Sequence, residues 1–160
     1  MQQTKAFDAA LPEYEKLYPK LRHEGAFLFE YAQCLAGLKQ YAKANDILKD
    51  ASMLSTDPMI YNVMAKNYQA LGKYYDAERW LYKSLDLLPE RIYPYYLLTK
   101  LYAEPAFYQP DKMKKTGEKV LTKEPKVQST AIKEMRNEIK KLLAENNITP
   151  DVHPVPKPKP

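Results

Sequence analysis

Apolar and small residues recur along this chain with the three- and four-residue spacing of amphipathic helices. The pattern itself repeats after 33 residues, which indicates related pairs of helices. In one helix of the pair, Tyr41, Ala44, Leu48 and Ala51 return as Tyr74, Ala77, Leu81 and Ser84. In the other helix, Leu28, Ala32, Leu35 and Leu38 return as Tyr61, Ala65, Tyr68 and Leu71. The pattern predicts helices over 4–22, 25–37, 41–54, 58–71, 74–87, 92–104, 110–122 and 128–146.

A third helix pair begins near Ile92, with a small change of spacing. Its first helix follows the second pair by 34 residues, at Tyr95, Leu98, Thr99 and Tyr102. Its second helix follows by 36 residues, at Met113, Val120 and Pro125. Two extra residues must therefore lie in the turn 103–110, where two prolines prevent a continuous helix. The repeats are predicted over 25–57, 58–91 and 92–125.

The small and special residues of the pattern have packing roles. Small side chains let the two helices of a pair approach closely, while large ones fill the gaps between pairs. Gly72 falls where a helix ends, a position that suits a left-handed residue. Pro58 opens the next helix, and Asp57 before it is a plausible N-cap. The expected close-packed positions are Ala32, Ala44, Ala51, Ala65, Ala77 and Ser84.

The segment 58–91 resembles the tetratricopeptide repeat (TPR) family at most signature positions. The matching residues, in the family's order and spacing, are Tyr61, Met64, Ala65, Tyr68, Gly72, Tyr74, Ala77, Leu81, Ser84 and Pro89. A TPR is a helix–turn–helix unit that stacks on copies of itself. The resemblance implies an all-α fold, a TPR-like α-solenoid of antiparallel helix pairs in a right-handed superhelix. It also implies a scaffold rather than an enzyme.

The N-terminal segment is expected to precede the first repeat as a helix over 4–22. Pro12 would have to start or kink this helix, and Pro19 would disturb its end. The segment lacks the charged-then-apolar order of a signal peptide. No apolar run in the chain approaches the roughly 18 residues needed to span a membrane. We therefore expect no membrane insertion by this sequence.

The C-terminal part is expected to close the solenoid. Helix 128–146 carries Ile132, Ile139 and Leu143 at helical spacing and is predicted to cap the last repeat. The proline- and lysine-rich stretch 148–160 is predicted to be a flexible tail. We thus predict a single TPR domain over 1–147.

The chemistry of the remaining residues gives little support for catalysis. Cys34 is the single cysteine and lies among apolar neighbours, so a packed thiol is expected. His23 lies in a polar turn and His153 in the tail. The chain has no metal-ligand spacing, phosphate-binding loop or nucleophile elbow. We predict no catalytic residue, no metal and no cofactor.

The basic charge is a second possible guide to partners. The net charge is +5 and the isoelectric point is near 9.0. Such an excess can attract nucleic acid or anionic lipid. Arginine is scarce, however, and no dense basic helix or glycine-aromatic RNA-binding signature occurs. We expect a surface of mixed sign and no nucleic-acid partner.

The TPR resemblance also indicates where a partner would bind, because the family lines its concave face with the first helix of each repeat. The residues at those positions are Phe29, Gln33, Asn62, Lys66, Gln69, Tyr96 and Lys100. Their amides and cations could hold an extended peptide with acidic groups; an ordinary hydrated surface is the other interpretation. Chaperone-binding members use a lysine-asparagine-arginine clamp, which this chain replaces with Phe29, Gln33, Val63, Tyr93 and Leu97. A chaperone adaptor is therefore not expected.

Several strings resemble a more particular group. Tyr14–Pro19, Phe27–Tyr31, Asn67–Gly72, Arg91–Leu98 and Pro125–Met135 are similar to the C-terminal TPR region of Bacteroidetes-type O-antigen ligase-like membrane proteins. That resemblance implies a periplasmic domain of a larger membrane protein, which recruits protein partners for surface-polysaccharide assembly. The alternative from the same side chains is a direct binder of glycan or of an anionic lipid-linked carrier.

Overall fold

The computed structural model describes residues 2–152, and every regular element among them is helical. The order is α1 (Gln2–Leu21), α2 (Gly25–Gly37), α3 (Tyr41–Leu54), α4 (Pro58–Ala70), α5 (Tyr74–Leu87), α6 (Tyr93–Tyr102), a 3₁₀ turn (Pro105–Phe107), α7 (Pro110–Thr122) and α8 (Thr130–Glu145). Every predicted helix bound lies within two residues of the observed one. The all-α, TPR-type class is confirmed. Residues 153–160, the rest of the predicted tail, lie outside the described part.

The chain divides into two compact units, Met1–Leu87 with α1 to α5 and Leu88–Pro160 with α6 to α8. In the first unit each helix packs on the next along the chain. Turns of only three residues join these helices, so neighbours must run antiparallel. The prediction of a single domain over 1–147 stays a prediction.

The core of the first unit has the composition that the repeat pattern predicts. The small residues Ala32, Ala44, Ala51, Ala65 and Ala77 are at most 1% exposed. Large apolar side chains beside them are equally buried, among them Leu28, Leu35, Leu48, Met64 and Leu81. Alternation of small and large residues lets adjacent helices interdigitate at the density of a protein interior. The predicted packing positions are confirmed.

The first helix corrects one expectation about proline. Helix α1 begins ten residues before Pro12, so this proline does not start it, and the helix ends at Leu21, two residues after Pro19. Both prolines are exposed, which leaves the carbonyls that lose a partner open to water. The ring of Phe7 packs on Gly37 of α2, where a Cβ atom would come within 2.3 Å of that ring. This contact places α1 against α2 and requires glycine.

The ends of the first-unit helices follow the predicted rules in part. The carboxylate of Asp57 accepts a hydrogen bond of 2.9 Å from the Met59 N–H and caps α4, with Pro58 in the first turn. Gly72 closes α4 with a φ of 74°. Lys39 closes α2 in the equivalent place with a φ of 62°. A residue with a side chain is strained in this left-handed conformation, whereas glycine is not. The two turns therefore have the same backbone shape, but only the turn at Lys39 is strained.

The second unit contains the longer turn that the shifted spacing predicts. Pro105–Phe107 forms the 3₁₀ turn between α6 and α7, and Phe107 stacks on Tyr102 with ring centroids 6.1 Å apart. Helix α8 packs on both α6 and α7. At Gly117 of α7, an added Cβ would lie 3.1 Å from the Leu143 side chain, so glycine permits this close docking. The segment after α8 reaches α7 as well, where Asp151 pairs with Lys114 at 3.2 Å.

Candidate functional site

The predicted binding residues of the first unit lie on α2 and α4 and differ in exposure. On α2, Gln33 is exposed and Phe29 is half-buried. On α4, Lys66 is exposed and Gln69 is half-buried, whereas Asn62 is only 5% exposed. Spacings of three and four residues place the members on one side of each helix. The structure therefore presents an exposed cation at Lys66 and an exposed amide at Gln33.

Asn62 has an unusual hydrogen-bonding state for a buried amide. Its Nδ2 donates to the Met59 sulfur at 3.8 Å, but its Oδ1 has no hydrogen-bond partner among the described residues. A buried acceptor without a partner costs on the order of 1–3 kcal/mol. The side chain of Lys66, one helical turn further along α4, forms no ion pair or hydrogen bond within the described chain.

Two other buried asparagines of the first unit differ from Asn62, because they are hydrogen-bonded to each other. Asn67 of α4 donates to Oδ1 of Asn45 on α3 at 2.9 Å, and Asn45 donates to the Met64 carbonyl at 3.3 Å. Both side chains are at most 3% exposed. They tie α3 to α4 and are satisfied within the chain, so their role is structural. Sequence reasoning missed them, although Asn45 adjoins the buried Ala44 in the repeat pattern.

The predicted binding residues of the second unit are already engaged. Lys100 of α6 lies 3.3 Å from Oε1 of Glu138 on α8, and it donates to the Tyr96 hydroxyl at 3.3 Å. The Tyr96 hydroxyl in turn donates to the other carboxylate oxygen of Glu138. Sequence analysis did not identify Glu138. The one available signal was its place beside Ile139, which put it near the buried side of the capping helix.

The electrostatics of this triad favour the charged pair. The hydrogen bond from Tyr96 lowers the pKa of Glu138, and Lys100 adds to that effect against the opposing effect of burial. Burial and the bond to Glu138 raise the pKa of Tyr96. Burial acts to lower the pKa of Lys100, but Tyr96 and Glu138 outweigh it and raise the pKa. The carboxylate of Glu138 thus occupies the place that an acidic ligand group would take on α6.

The single cysteine is a packing residue by its geometry. Cys34 is 2% exposed, and its thiol donates to the Phe7 carbonyl at 3.4 Å. Burial first, and then nearby Asp8 and Glu15, raise the pKa of this thiol. A neutral buried thiol is a poor nucleophile. Among residues 2–152, no helix is both long and apolar enough to cross a membrane.

The helix pairs, their 33- and 34-residue register and the small-residue contacts define a TPR-type helical repeat protein. Residues 3–84 match the family model described as "Anaphase-promoting complex, cyclosome, subunit 3". Because the match covers half of the chain, the protein belongs to this family. Among curated proteins, none matches the sequence.

Solved structures agree with the fold. A crystal structure of MamA is 20% identical with a TM-score of 0.66, and the alignment covers 87% of this chain and 85% of that chain. MamA 41-end from Desulfovibrio magneticus RS-1 is 15% identical with a TM-score of 0.59, over 89% and 70%. The Sgt2 TPR domain from Aspergillus fumigatus is 21% identical with a TM-score of 0.61, over 85% and 91%. Likeness at these identities shows the fold alone.

Proposed function

We propose that the chain is a non-catalytic scaffold that binds a protein or peptide partner through α2 and α4 of its first unit. The observation that carries the proposal is the state of two α4 residues. Lys66 is an exposed cation without an ion pair in the described chain, and Asn62 has a buried acceptor without a donor. A surface with two such unmet groups one turn apart is suited to a ligand that supplies both partners.

The chemistry of these groups defines the partner. A carboxylate would form a charge-assisted hydrogen bond with Lys66. A backbone N–H would donate to the Asn62 Oδ1 after this buried side chain turns outward. Gln33 on α2 adds an exposed amide that can donate and accept. Because all three residues lie on helices, little backbone conformational entropy is lost on binding, and the cost is confined to the side chains. An acidic peptide in an extended conformation is therefore the proposed ligand class.

Contacts within the second unit reduce the number of residues in the primary proposed site. Tyr96 and Lys100 were predicted as partner-binding residues, and Glu138 holds both within the chain. We propose that they contribute to partner binding only when an acidic ligand displaces Glu138. The first-unit residues Phe29, Gln33, Asn62, Lys66 and Gln69 are the primary proposed site.

The direct test is a charge reversal with a matched control. Lys66→Glu should lose the acidic partner, while Lys49→Glu, an exposed position on α3, should retain it. Both variants change the net charge by the same amount. Captured proteins are compared by quantitative mass spectrometry, with circular dichroism to verify folding. Retention of the same partners by Lys66→Glu would place the site elsewhere.

A direct glycan or anionic lipid-carrier binder is the second candidate function. It is favoured by Phe29, a half-exposed aromatic ring one turn before the exposed amide of Gln33. An aromatic face beside an amide suits a sugar ring. Titration with an oligosaccharide panel and with an acidic peptide distinguishes the two functions. Phe29→Ala should abolish binding of the sugar, whereas Lys66→Glu should weaken binding of the acidic peptide.

We further propose that the scaffold serves surface-polysaccharide assembly on the periplasmic side of the inner membrane, attached to a membrane domain. The support is the resemblance of strings such as Arg91–Leu98 and Pro125–Met135 to O-antigen ligase-like proteins. Sequencing the complete gene and testing protease access to the domain in spheroplasts would check this. A domain protected until the inner membrane is opened would contradict it.

A further inference from the structure

A groove in the second unit, separate from the helix row described above, has the features of a binding site. It lies between the chain that enters α6, Leu88–Tyr93, and the loop before α8, Pro125–Val127. Its volume is about 470 Å³, within the usual range for ligand clefts of about 300–1,000 Å³. Ile132 and Met135 of α8 form part of its lining. We refer to it as the edge groove.

The lining is apolar, and its rim carries cations without partners. Leu88 is 42% exposed and Val127 is 74% exposed, so apolar surface faces the groove from both segments. Glu90 pairs with Lys123 at 3.4 Å. The side chains of Arg91 and Lys126 are exposed and form no ion pair or hydrogen bond within residues 2–152. The rim thus keeps two uncompensated positive charges beside uncovered apolar side chains.

The backbone of the loop adds a third feature. Within the described chain, the N–H and C=O groups of residues 126–128 make no hydrogen bond. They are exposed and not part of any helix. Lys126 and Val127 form a bend rather than a strand edge, so these groups can bond one by one to the backbone of a segment laid beside the loop. This favours a peptide over a compact small molecule.

We propose that the edge groove binds a short extended segment of a partner protein in which acidic residues flank apolar ones. The apolar side chains would enter between Leu88 and Ile132, and the carboxylates would pair with Arg91 and Lys126. The chain's own C-terminal residues 153–160 do not fit, since their sequence carries two lysines and no acid. The proposal does not depend on the site on α2 and α4.

The test uses the whole chain and a fluorescein-labelled peptide, Gly-Ser-Asp-Leu-Phe-Asp-Leu-Ser-Gly, followed by fluorescence anisotropy in about 0.15 M salt. Arg91→Glu with Lys126→Glu should weaken binding at least about tenfold. The matched pair Lys115→Glu with Lys140→Glu, both exposed and outside the groove, should stay within about twofold. Lys66→Glu should also leave this peptide bound, which separates the edge groove from the α4 site.

Defined results would overturn the proposal. Equal weakening by the two charge-reversal pairs would show long-range attraction rather than a groove. Equal binding of a peptide with serine in place of leucine and phenylalanine would show that the apolar lining of the edge groove does not contribute to binding. A dimer in sedimentation equilibrium that Arg91→Glu with Lys126→Glu dissolves would assign the groove to a second copy. Binding of dodecanoate without binding of the peptide would assign it to an anionic amphiphile.

Discussion

The two units use the same repeat position in different ways. Lys66 on α4 and Lys100 on α6 are equivalent, 34 residues apart. Lys100 is held by Glu138 from the capping helix, whereas Lys66 has no acidic partner in the described chain. The repeat register thus decides where a side chain lies, but a segment outside the repeats decides whether it is available. The chain itself supplies a carboxylate to Lys100 and, among the described residues, none to Lys66.

The largest effect is expected from a substitution that loosens the contact between the capping helix α8 and helix α7. Leu143 is 1% exposed and lies against Gly117. Leu143→Ala should cost about 2–5 kcal/mol, because it leaves a cavity in that contact. Native-state hydrogen exchange should rise in α8 and α7 and stay unchanged in α2 and α3. Lys140→Ala on the exposed side is the control; equal exchange in the two variants would show that α8 is not held by its apolar side.

A smaller effect is expected from overpacking the first unit. Ala77 of α5 is 1% exposed, so Ala77→Leu should cost about 1–3 kcal/mol. Ala70→Leu, at an exposed position of α4, should cost much less. Urea unfolding of both variants measures the difference. Equal losses would mean that the assigned repeat register is wrong.

The two closing turns of the first unit give a paired prediction of opposite sign. Gly72→Ala should cost about 1 kcal/mol, because the residue has a left-handed φ and a Cβ there meets no neighbour within 4 Å. Lys39→Gly should gain less than about 1 kcal/mol, since relief of the strained φ is partly offset by backbone entropy in the unfolded chain. Thermal melts of both variants check the signs. A stabilising Gly72→Ala would contradict this explanation.

The smallest expected effect is the pH dependence of stability that Glu138 causes through its pair with Lys100, which Lys66 lacks. The lowered pKa of Glu138 means that its stabilising contribution is present above about pH 4.5 and is lost as pH falls through the lowered value. Because the Glu138 side chain is 49% exposed, the loss should be under about 0.5 kcal/mol. Glu138→Gln should remove this pH dependence from α8, measured by exchange at pH 7 and pH 3. If Glu138→Gln kept the full pH dependence of exchange in α8, another carboxylate would be responsible for it.

Prediction from sequence succeeded where structure follows local pattern and failed where distant segments meet. The recurrence after 33 to 36 residues located α2 to α7, and the small residues predicted the close contacts such as Ala65 and Ala77. Composition rules overstated the effect of Pro12, because an exposed helix can lose one hydrogen bond to water without ending. Such local rules are strongest within one or two helical turns.

The candidate sites were harder to predict than the fold. The row on α2 and α4 came from the TPR resemblance and the repeat register, and the burial of Asn62 could not be derived from either. Glu138 lies 42 residues from Tyr96, so no spacing rule connects them. The edge groove consists of two loops and one side of α8, and loops carry no periodic signal. Contacts of this kind depend on tertiary packing.

The asparagine pair between α3 and α4 limits how this protein can change by duplication. Asn45 and Asn67 satisfy one another, but the equivalent positions of neighbouring repeats hold Glu78 and Cys34. A tandem copy of the first repeat would therefore place Asn45 opposite Cys34, whose thiol is only a weak donor, and the buried Asn45 Oδ1 would lose its amide donor at about 1–3 kcal/mol. The junction between the first two repeats is consequently unique in the chain. Lengthening the array by unequal recombination would require compensating substitutions at this position.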